Sequence, residues 1–146
     1  MPFMSDSVFI CIDHVGYAVP DLDAAIKLHT EVFGFRLLHK EVNEEQGVAE
    51  AMLGTGDQLP ESAQVQLLGS LGPDTTIGKW LEKNGGRGGV QQVCYRVSDI
   101  EKASAILRER GVVLLYDEPK TGTAGSKINF AHPKSTGGIL LEIVQK

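Results

Sequence analysis

This chain of 146 residues has few cysteines, few aromatic residues and no long apolar run. Its 2 cysteines, Cys11 and Cys94, lie in separate apolar segments without a CxxC pair, which excludes a disulfide framework and a cysteine-rich zinc cluster. No segment approaches the ~20 consecutive apolar residues of a membrane-spanning helix, and residues 1–7 lack the pattern of a signal peptide. We therefore expect two buried thiols in a cytoplasmic protein.

Positive charge is also scarce. The chain has 14 Lys and Arg residues against 19 Asp and Glu residues, and the basic residues are scattered along it. Nucleic acids and anionic lipid surfaces attract proteins whose positive charges are clustered. The sequence therefore predicts neither a nucleic acid nor a membrane as a partner.

Glycine is abundant, and several of the 17 glycines separate the elements of a repeated pattern. Asp21 and Asp99 are placed to cap a helix in each half of the chain, and Gly34 and Gly111 are placed to end it. Runs rich in β-branched and aliphatic residues predict the strands. These strands are residues 8–19, 35–42, 48–53 and 63–68 in the first half and residues 90–97, 112–117, 127–130 and 139–144 in the second.

The two halves resemble copies of one βαβββ unit. His14 corresponds to Gln92, Gly34 to Gly111 and Gln66 to Glu142, so that the offset between the halves falls by one residue at each step. A duplicated unit with shortened turns produces this pattern. We predict an α+β fold in a single domain. The predicted boundaries are 8–146 for the domain, 8–69 and 90–146 for the repeats, and 70–89 for a helical, glycine-rich linker.

Each half has one polar residue near the start of its first strand and one in its last strand. These residues are His14 and Gln66, then Gln92 and Glu142. Glu142 lies among aliphatic residues, where a buried carboxylate is costly unless it is paired or binds a cation. If the four positions converge on one concave surface, they offer one imidazole nitrogen and three oxygens, which suit a divalent metal ion. The alternative for any single position is an ordinary core or edge residue.

Seven segments carry a resemblance to a known family: residues 13–19, 44–50, 79–81, 108–112, 115–119, 128–134 and 141–142. On these segments the chain resembles the vicinal oxygen chelate, or glyoxalase, superfamily, and within it the methylmalonyl-CoA epimerase family. The segments at 45–50 and 116–119 are typical of the epimerase branch. The resemblance implies a fold in which paired βαβββ units form a curved, metal-lined mixed β-sheet cup.

The resemblance also implies roles for single residues. His14, Gln66 and Glu142 match three metal ligands of the family, and Gln92 replaces the histidine that is usually the fourth. Glu50 matches a catalytic carboxylate, and Glu142 is implied to act as the second acid or base. Because an amide oxygen is a harder donor than imidazole, we expect cobalt, manganese or magnesium to be favoured over zinc or nickel. Loss of the metal, with Gln92 only hydrogen-bonding, is the alternative.

The resulting hypothesis is a metal-dependent epimerase whose substrate is methylmalonyl-CoA. The resemblance also implies a homodimer. It would interconvert the (R) and (S) forms by removing and returning the α-proton through an enolate. The coenzyme A site is not identified from the sequence. Four basic residues could contact the coenzyme phosphates, but each is better explained as an ordinary surface residue. They are Arg87, Lys120, Lys127 and Lys134.

Two other functions compete with the epimerase hypothesis. A non-catalytic member of the superfamily would bind or sequester a small molecule, as bleomycin-resistance proteins do. Retention of Glu50, Gln66 and Glu142 argues against it, because sequestration needs no base beside a set of ligands. A ring-cleaving dioxygenase needs two histidines and a carboxylate on iron, and Gln92 removes one of those histidines.

Overall fold

The computed structural model describes residues 8–56, 59–60 and 62–146, which contain eight strands and three α-helices. The element order β1-α1-β2-β3-β4 recurs as β5-α3-β6-β7-β8, with α2 between the two series. The α-helices are α1 (Leu22–Lys27), α2 (Thr76–Lys83) and α3 (Ile100–Glu109). The strands are β1 (Phe9–Ala18), β2 (Arg36–Asn43), β3 (Val48–Gly54), β4 (Gln64–Ser70), β5 (Gly89–Val97), β6 (Lys120–Thr121), β7 (Lys127–Ala131) and β8 (Leu141–Gln145).

The chain divides into two compact units. Residues 14–91 form the N-terminal unit, and residues 8–13 together with 92–146 form the described part of the C-terminal unit. The first half of β1 therefore belongs to one unit and the second half to the other. No helix in the described part of the chain is long and apolar enough to cross a membrane. The single domain over residues 8–146 stays a prediction.

In the N-terminal unit the strand order is β2-β3-β4-β1, with β1 parallel to β4 and the other pairs antiparallel. One sheet face carries Leu53 and Leu67, which pack against α1. The opposite face carries Val48 and Leu68, which pack with Trp80 of α2. Because side chains alternate between the two faces of a strand, β1, β3 and β4 each contribute to both clusters.

The C-terminal unit repeats this topology in the order β5-β8-β7-β6. Strand β5 is parallel to β8, and the other pairs are antiparallel. Val97 and Ile143 pack against α3 on one face, whereas Ile128 and Val144 lie in a cluster with Cys94. The α+β class and the two βαβββ series are confirmed.

The helix boundaries agree with the capping pattern of the sequence. The Asp21 side chain accepts a hydrogen bond from the Ala24 amide at 3.0 Å, and the Asp99 side chain accepts one from the Lys102 amide at 3.1 Å. Gly111 follows α3 with a φ of 90°, a left-handed conformation that favours glycine at a helix end. The predicted helix caps are therefore confirmed.

The strand predicted at residues 112–117 is wrong. This segment forms one isolated bridge, between Leu114 and Ala131, and the strand beside β7 is the two-residue β6. At Tyr116 the side chain of Asn129 makes the hydrogen bonds that the backbone of a neighbouring strand would otherwise make. Its Nδ2 donates to the Tyr116 carbonyl at 2.9 Å, and its Oδ1 accepts from the Tyr116 amide at 3.1 Å. A side chain that bonds both backbone groups removes them from strand pairing.

Asp13 is the centre of a buried ionic cluster in the C-terminal unit. It is 1% exposed and accepts from Arg96 Nε at 2.8 Å, with Lys146 Nζ at 3.2 Å. We expect Asp13→Asn to lower the free energy of unfolding by about 3 kcal/mol, because Arg96 would lose its counter-charge in a mostly buried position. Urea unfolding followed by circular dichroism measures this loss.

The matched control for that measurement is Asp23→Asn. Asp23 pairs with Lys40 at 3.3 Å, but its side chain is 87% exposed. An exposed pair contributes little, so we expect a change below about 1 kcal/mol. Equal losses in the two variants would contradict a special contribution from the buried cluster.

Candidate functional site

Three of the predicted site residues share one sheet face of the N-terminal unit. Across the β3–β4 pair, Met52 is opposite Gln66, and Glu50 alternates with Met52 to the same face. Across the β1–β4 pair, His14 is opposite Gln64, which alternates with Gln66. His14, Glu50 and Gln66 are all buried.

Within this set, Gln66 holds the carboxylate of Glu50. The Gln66 Nε2 atom donates a hydrogen bond to Glu50 Oε2 at 3.0 Å, and Glu50 is 5% exposed. A buried carboxylate that accepts an amide hydrogen bond has a defined orientation and is shielded from bulk water. These are properties that a positioned proton-transfer group needs.

The C-terminal unit contains a second amide and carboxylate pair. Gln92 Nε2 donates to Glu142 Oε1 at 2.7 Å, and both side chains are buried. Glu142 pairs with Cys94 across the β5–β8 ladder, and Gln92 alternates with Cys94 to the same face. Each unit therefore carries one glutamine that donates to one glutamate.

The strand register places the candidate residues equivalently in the two units. Gly16 of β1 pairs with Gln66, and Cys94 of β5 pairs with Glu142, both in parallel ladders. His14 and Gln92 each come two residues earlier in their strands. The sequence predicts that His14 corresponds to Gln92 and Gln66 to Glu142. These residues also have the same strand register in the two units.

Cys94 lies beside the Gln92 and Glu142 pair and is fully buried. Burial raises the pKa of its thiol far above the usual range, and the negative charges of Glu142 and Asp13 raise it further. The thiol is therefore protonated and is a poor nucleophile. Cys11 is half-buried, so only one of the two cysteines has the full burial expected from the sequence.

Comparison with known proteins agrees with these observations. Residues 13–130 match the family model described as the glyoxalase, bleomycin resistance protein and dioxygenase superfamily. An ethylmalonyl-CoA/methylmalonyl-CoA epimerase of Cereibacter sphaeroides is 36% identical over 135 residues, which cover 92% of this chain and 96% of that protein. The chain belongs to the methylmalonyl-CoA epimerase family.

Solved structures of the epimerase family match along most of the chain. A selenomethionine methylmalonyl-CoA epimerase is 53% identical, with a TM-score of 0.90, and the match covers 94% of this chain and 96% of that one. A methylmalonyl-CoA epimerase in complex with methylmalonyl-CoA and NH4+ is 43% identical, with a TM-score of 0.88 and coverage of 94% and 95%. The predicted family and fold are confirmed.

Two residues of these units, Asp13 and Asn129, were not predicted from the sequence to have a role. Asp13 precedes the candidate ligand His14, and Asn129 is a polar residue between apolar residues of β7. The signal for Asn129 was the same as that for Glu142, a polar side chain in a buried apolar strand. The metal ligands and catalytic residues named from the sequence stay predictions and are developed below.

Proposed function

We propose that this chain interconverts (R)- and (S)-methylmalonyl-CoA by moving the proton at C2, which makes it an isomerase acting on a coenzyme A thioester. The observation that carries the proposal is the presence of two buried carboxylates, Glu50 and Glu142, each held by a glutamine amide, in a chain of the epimerase family. Inversion at C2 needs a proton acceptor for one face and a proton donor for the other. Two carboxyl groups can supply both functions.

Glu50 acts as the base for one configuration in this proposal. As the C2–H bond breaks, Glu50 takes the proton and the electron pair of that bond moves into the thioester carbonyl, which produces an enolate. Gln66 keeps the accepting carboxylate in position throughout, since its amide donates to Oε2. A base held in position needs no reorganisation when the substrate binds.

Glu142 serves the opposite face. In its acid form it gives a proton to C2 of the enolate, and the electron pair returns to form the new C–H bond. Gln92 orients Glu142 through its Nε2 atom, as Gln66 orients Glu50. The reverse reaction exchanges the roles, so that Glu142 removes the proton and Glu50 returns it.

We further propose His14, Gln66, Gln92 and Glu142 as ligands of a divalent cation. The donor chemistry fits such an ion, because the set offers one imidazole, one carboxylate and two amides, all of them buried. Both amides use Nε2 towards a carboxylate, so each would ligate through Oε1. When bound, the cation would supply positive charge against the negative charge of the enolate oxygen. Cobalt, manganese and magnesium suit this oxygen-rich set better than zinc or nickel.

The proposal is tested by incubating the wild-type protein with (S)-methylmalonyl-CoA in deuterated water with each divalent ion. We expect deuterium at C2 and formation of the (R) form, measured by mass spectrometry and chiral analysis. Absence of exchange with every ion would contradict the enzyme function. Tight binding of methylmalonyl-CoA without exchange would instead support sequestration, which the epimerase relatives do not favour.

Replacement of Gln92 tests the proposed ligand set. We expect Gln92→His to bind zinc and nickel more tightly than the wild type, because imidazole replaces an amide oxygen at this position. Competition with a chelating dye measures the affinities without reference to activity. Gln91→His is the matched control, since Gln91 is the neighbour of Gln92 in β5 and its side chain alternates to the opposite sheet face. An equal gain in both variants would contradict Gln92 as a ligand.

We also propose, from the family resemblance, that the protein is a cytoplasmic homodimer. Light scattering after size-exclusion chromatography measures the mass in solution. A value near 15.8 kDa, the mass of one chain, would contradict the dimer.

A further inference from the structure

Lys120 of β6 lies on the same sheet face as Glu142. Lys120 pairs with Ile128, and Ile128 pairs with Val144, which alternates with Glu142. Directly paired residues of neighbouring strands project to one face. With strands about 4.8 Å apart and a rise of about 3.4 Å per residue, the Cα atoms of Lys120 and Glu142 are ~12 Å apart.

The ring of Tyr116 is a fixed surface beside Lys120. Asn129, which is fully buried, bonds both the amide and the carbonyl of Tyr116, and Arg108 Nη2 donates to the same carbonyl at 2.9 Å. The ring contacts Phe130 edge to face, with centroids 6.1 Å apart. Because Phe130 pairs with Glu142, the ring lies over the face that carries Glu142.

The ammonium group of Lys120 rests on this ring. Its Nζ atom lies 4.5 Å from the centroid of Tyr116, a cation–π contact. Among the described residues, no carboxylate forms a salt bridge with Lys120, whereas Arg96 and Lys146 of the same unit are both bound to Asp13. Lys120 therefore presents, in a defined position, a positive charge that no acidic side chain in the described part of the chain neutralises.

We propose that Lys120 binds an anionic group of the acyl-CoA substrate. This inference rests on the proposed epimerase function and adds to it a substrate-binding residue. Methylmalonyl-CoA carries a carboxylate beside C2 and phosphate groups on the coenzyme, and both are oxyanions that accept hydrogen bonds from an ammonium group. The Tyr116 ring holds the ammonium when no anion is bound and keeps it close to the sheet face that carries Glu142.

The test compares steady-state epimerisation by the wild type and Lys120→Ala. We expect KM for methylmalonyl-CoA to rise roughly tenfold or more, as loss of a charge-assisted hydrogen bond requires. Because the ammonium would hold the bound anion equally in the ground state and in the transition state, we expect kcat to change by less than about twofold. Lys120→Arg should keep most of the wild-type KM, since it retains the charge. The matched control is Lys102→Ala, an exposed lysine of α3, which should leave KM unchanged.

A truncated substrate distinguishes the two sources of the anion. Methylmalonyl-pantetheine keeps the carboxylate but lacks the phosphates. If Lys120→Ala raises KM for both substrates, Lys120 binds the carboxylate. If it raises KM only for the coenzyme A thioester, Lys120 binds a phosphate.

Two results would overturn this inference without affecting the proposed function. One is an unchanged KM for both substrates in Lys120→Ala, and the other is an equal rise in Lys102→Ala. Failure of the wild type to exchange the C2 proton would instead contradict the proposed function itself. The two failures are therefore distinguishable in the same set of assays.

Discussion

Glu50→Gln is expected to abolish interconversion of the two forms of methylmalonyl-CoA, with kcat reduced by about 10²–10⁴. The amide cannot accept the C2 proton, so the base for one face is lost. Glu142 still removes the proton from the other configuration and returns a deuteron to the same face. Deuterium should therefore enter one configuration of the substrate, without inversion.

The measurement follows deuterium content and configuration together, starting from each pure form in turn. Glu45→Gln is the matched control, because Glu45 is an exposed glutamate in the turn before β3. It should behave as the wild type does. Full interconversion by Glu50→Gln would remove Glu50 from the mechanism, and circular dichroism checks that the variant is folded.

Glu142→Gln should have an equally large effect, about 10²–10⁴ on kcat, but with the opposite stereochemical outcome. Here Glu50 remains as the base, so deuterium should enter only the configuration that Glu50→Gln leaves unlabelled. The variant also loses the negative charge of the proposed ligand set, so we expect weaker binding of every divalent ion.

Deuterium that enters opposite configurations in the two variants would distinguish a two-base mechanism from a one-base mechanism. If a single base served both faces, one variant would lose exchange into both configurations and the other would lose neither. If Glu142 were only a ligand, saturating metal would restore interconversion in Glu142→Gln. Either result would contradict the role of Glu142 as the second acid or base.

Much of the fold is predictable because its signals are local. The caps at Asp21 and Asp99 depend on contacts within three residues, and the left-handed glycine at Gly111 follows directly from its place after a helix. The assignment of Glu50, Gln66 and Glu142 to buried sheet faces follows from alternation along each strand. Positions that correspond in the two repeats therefore occupy the same place in the strand register of each unit.

The remaining features depend on contacts that a strand pattern does not encode. Which amide bonds which carboxylate is set by the β3–β4 and β5–β8 pairings, and the sequence alone shows only that Glu50, Gln66, Gln92 and Glu142 are polar. The apolar residues at 112–115 are typical of a strand, but Asn129 bonds Tyr116 from 13 residues away and ends the ladder. The contact between the Lys120 ammonium and the Tyr116 ring could not be predicted for the same reason.

The C-terminal unit is built from two segments of the chain that are separated in sequence by the whole N-terminal unit. Val8 is buried in the cluster of Val97 and Ile143, and its carbonyl accepts a hydrogen bond from the Ser98 amide at 2.8 Å. Forming this contact closes a loop that contains the whole N-terminal unit, and such closure is slow relative to local pairing. The Glu50 and Gln66 pair, 16 residues apart, should therefore form before the Gln92 and Glu142 pair, which are 50 residues apart. We expect recovery of epimerase activity during refolding to follow this late closure rather than the earlier appearance of secondary structure.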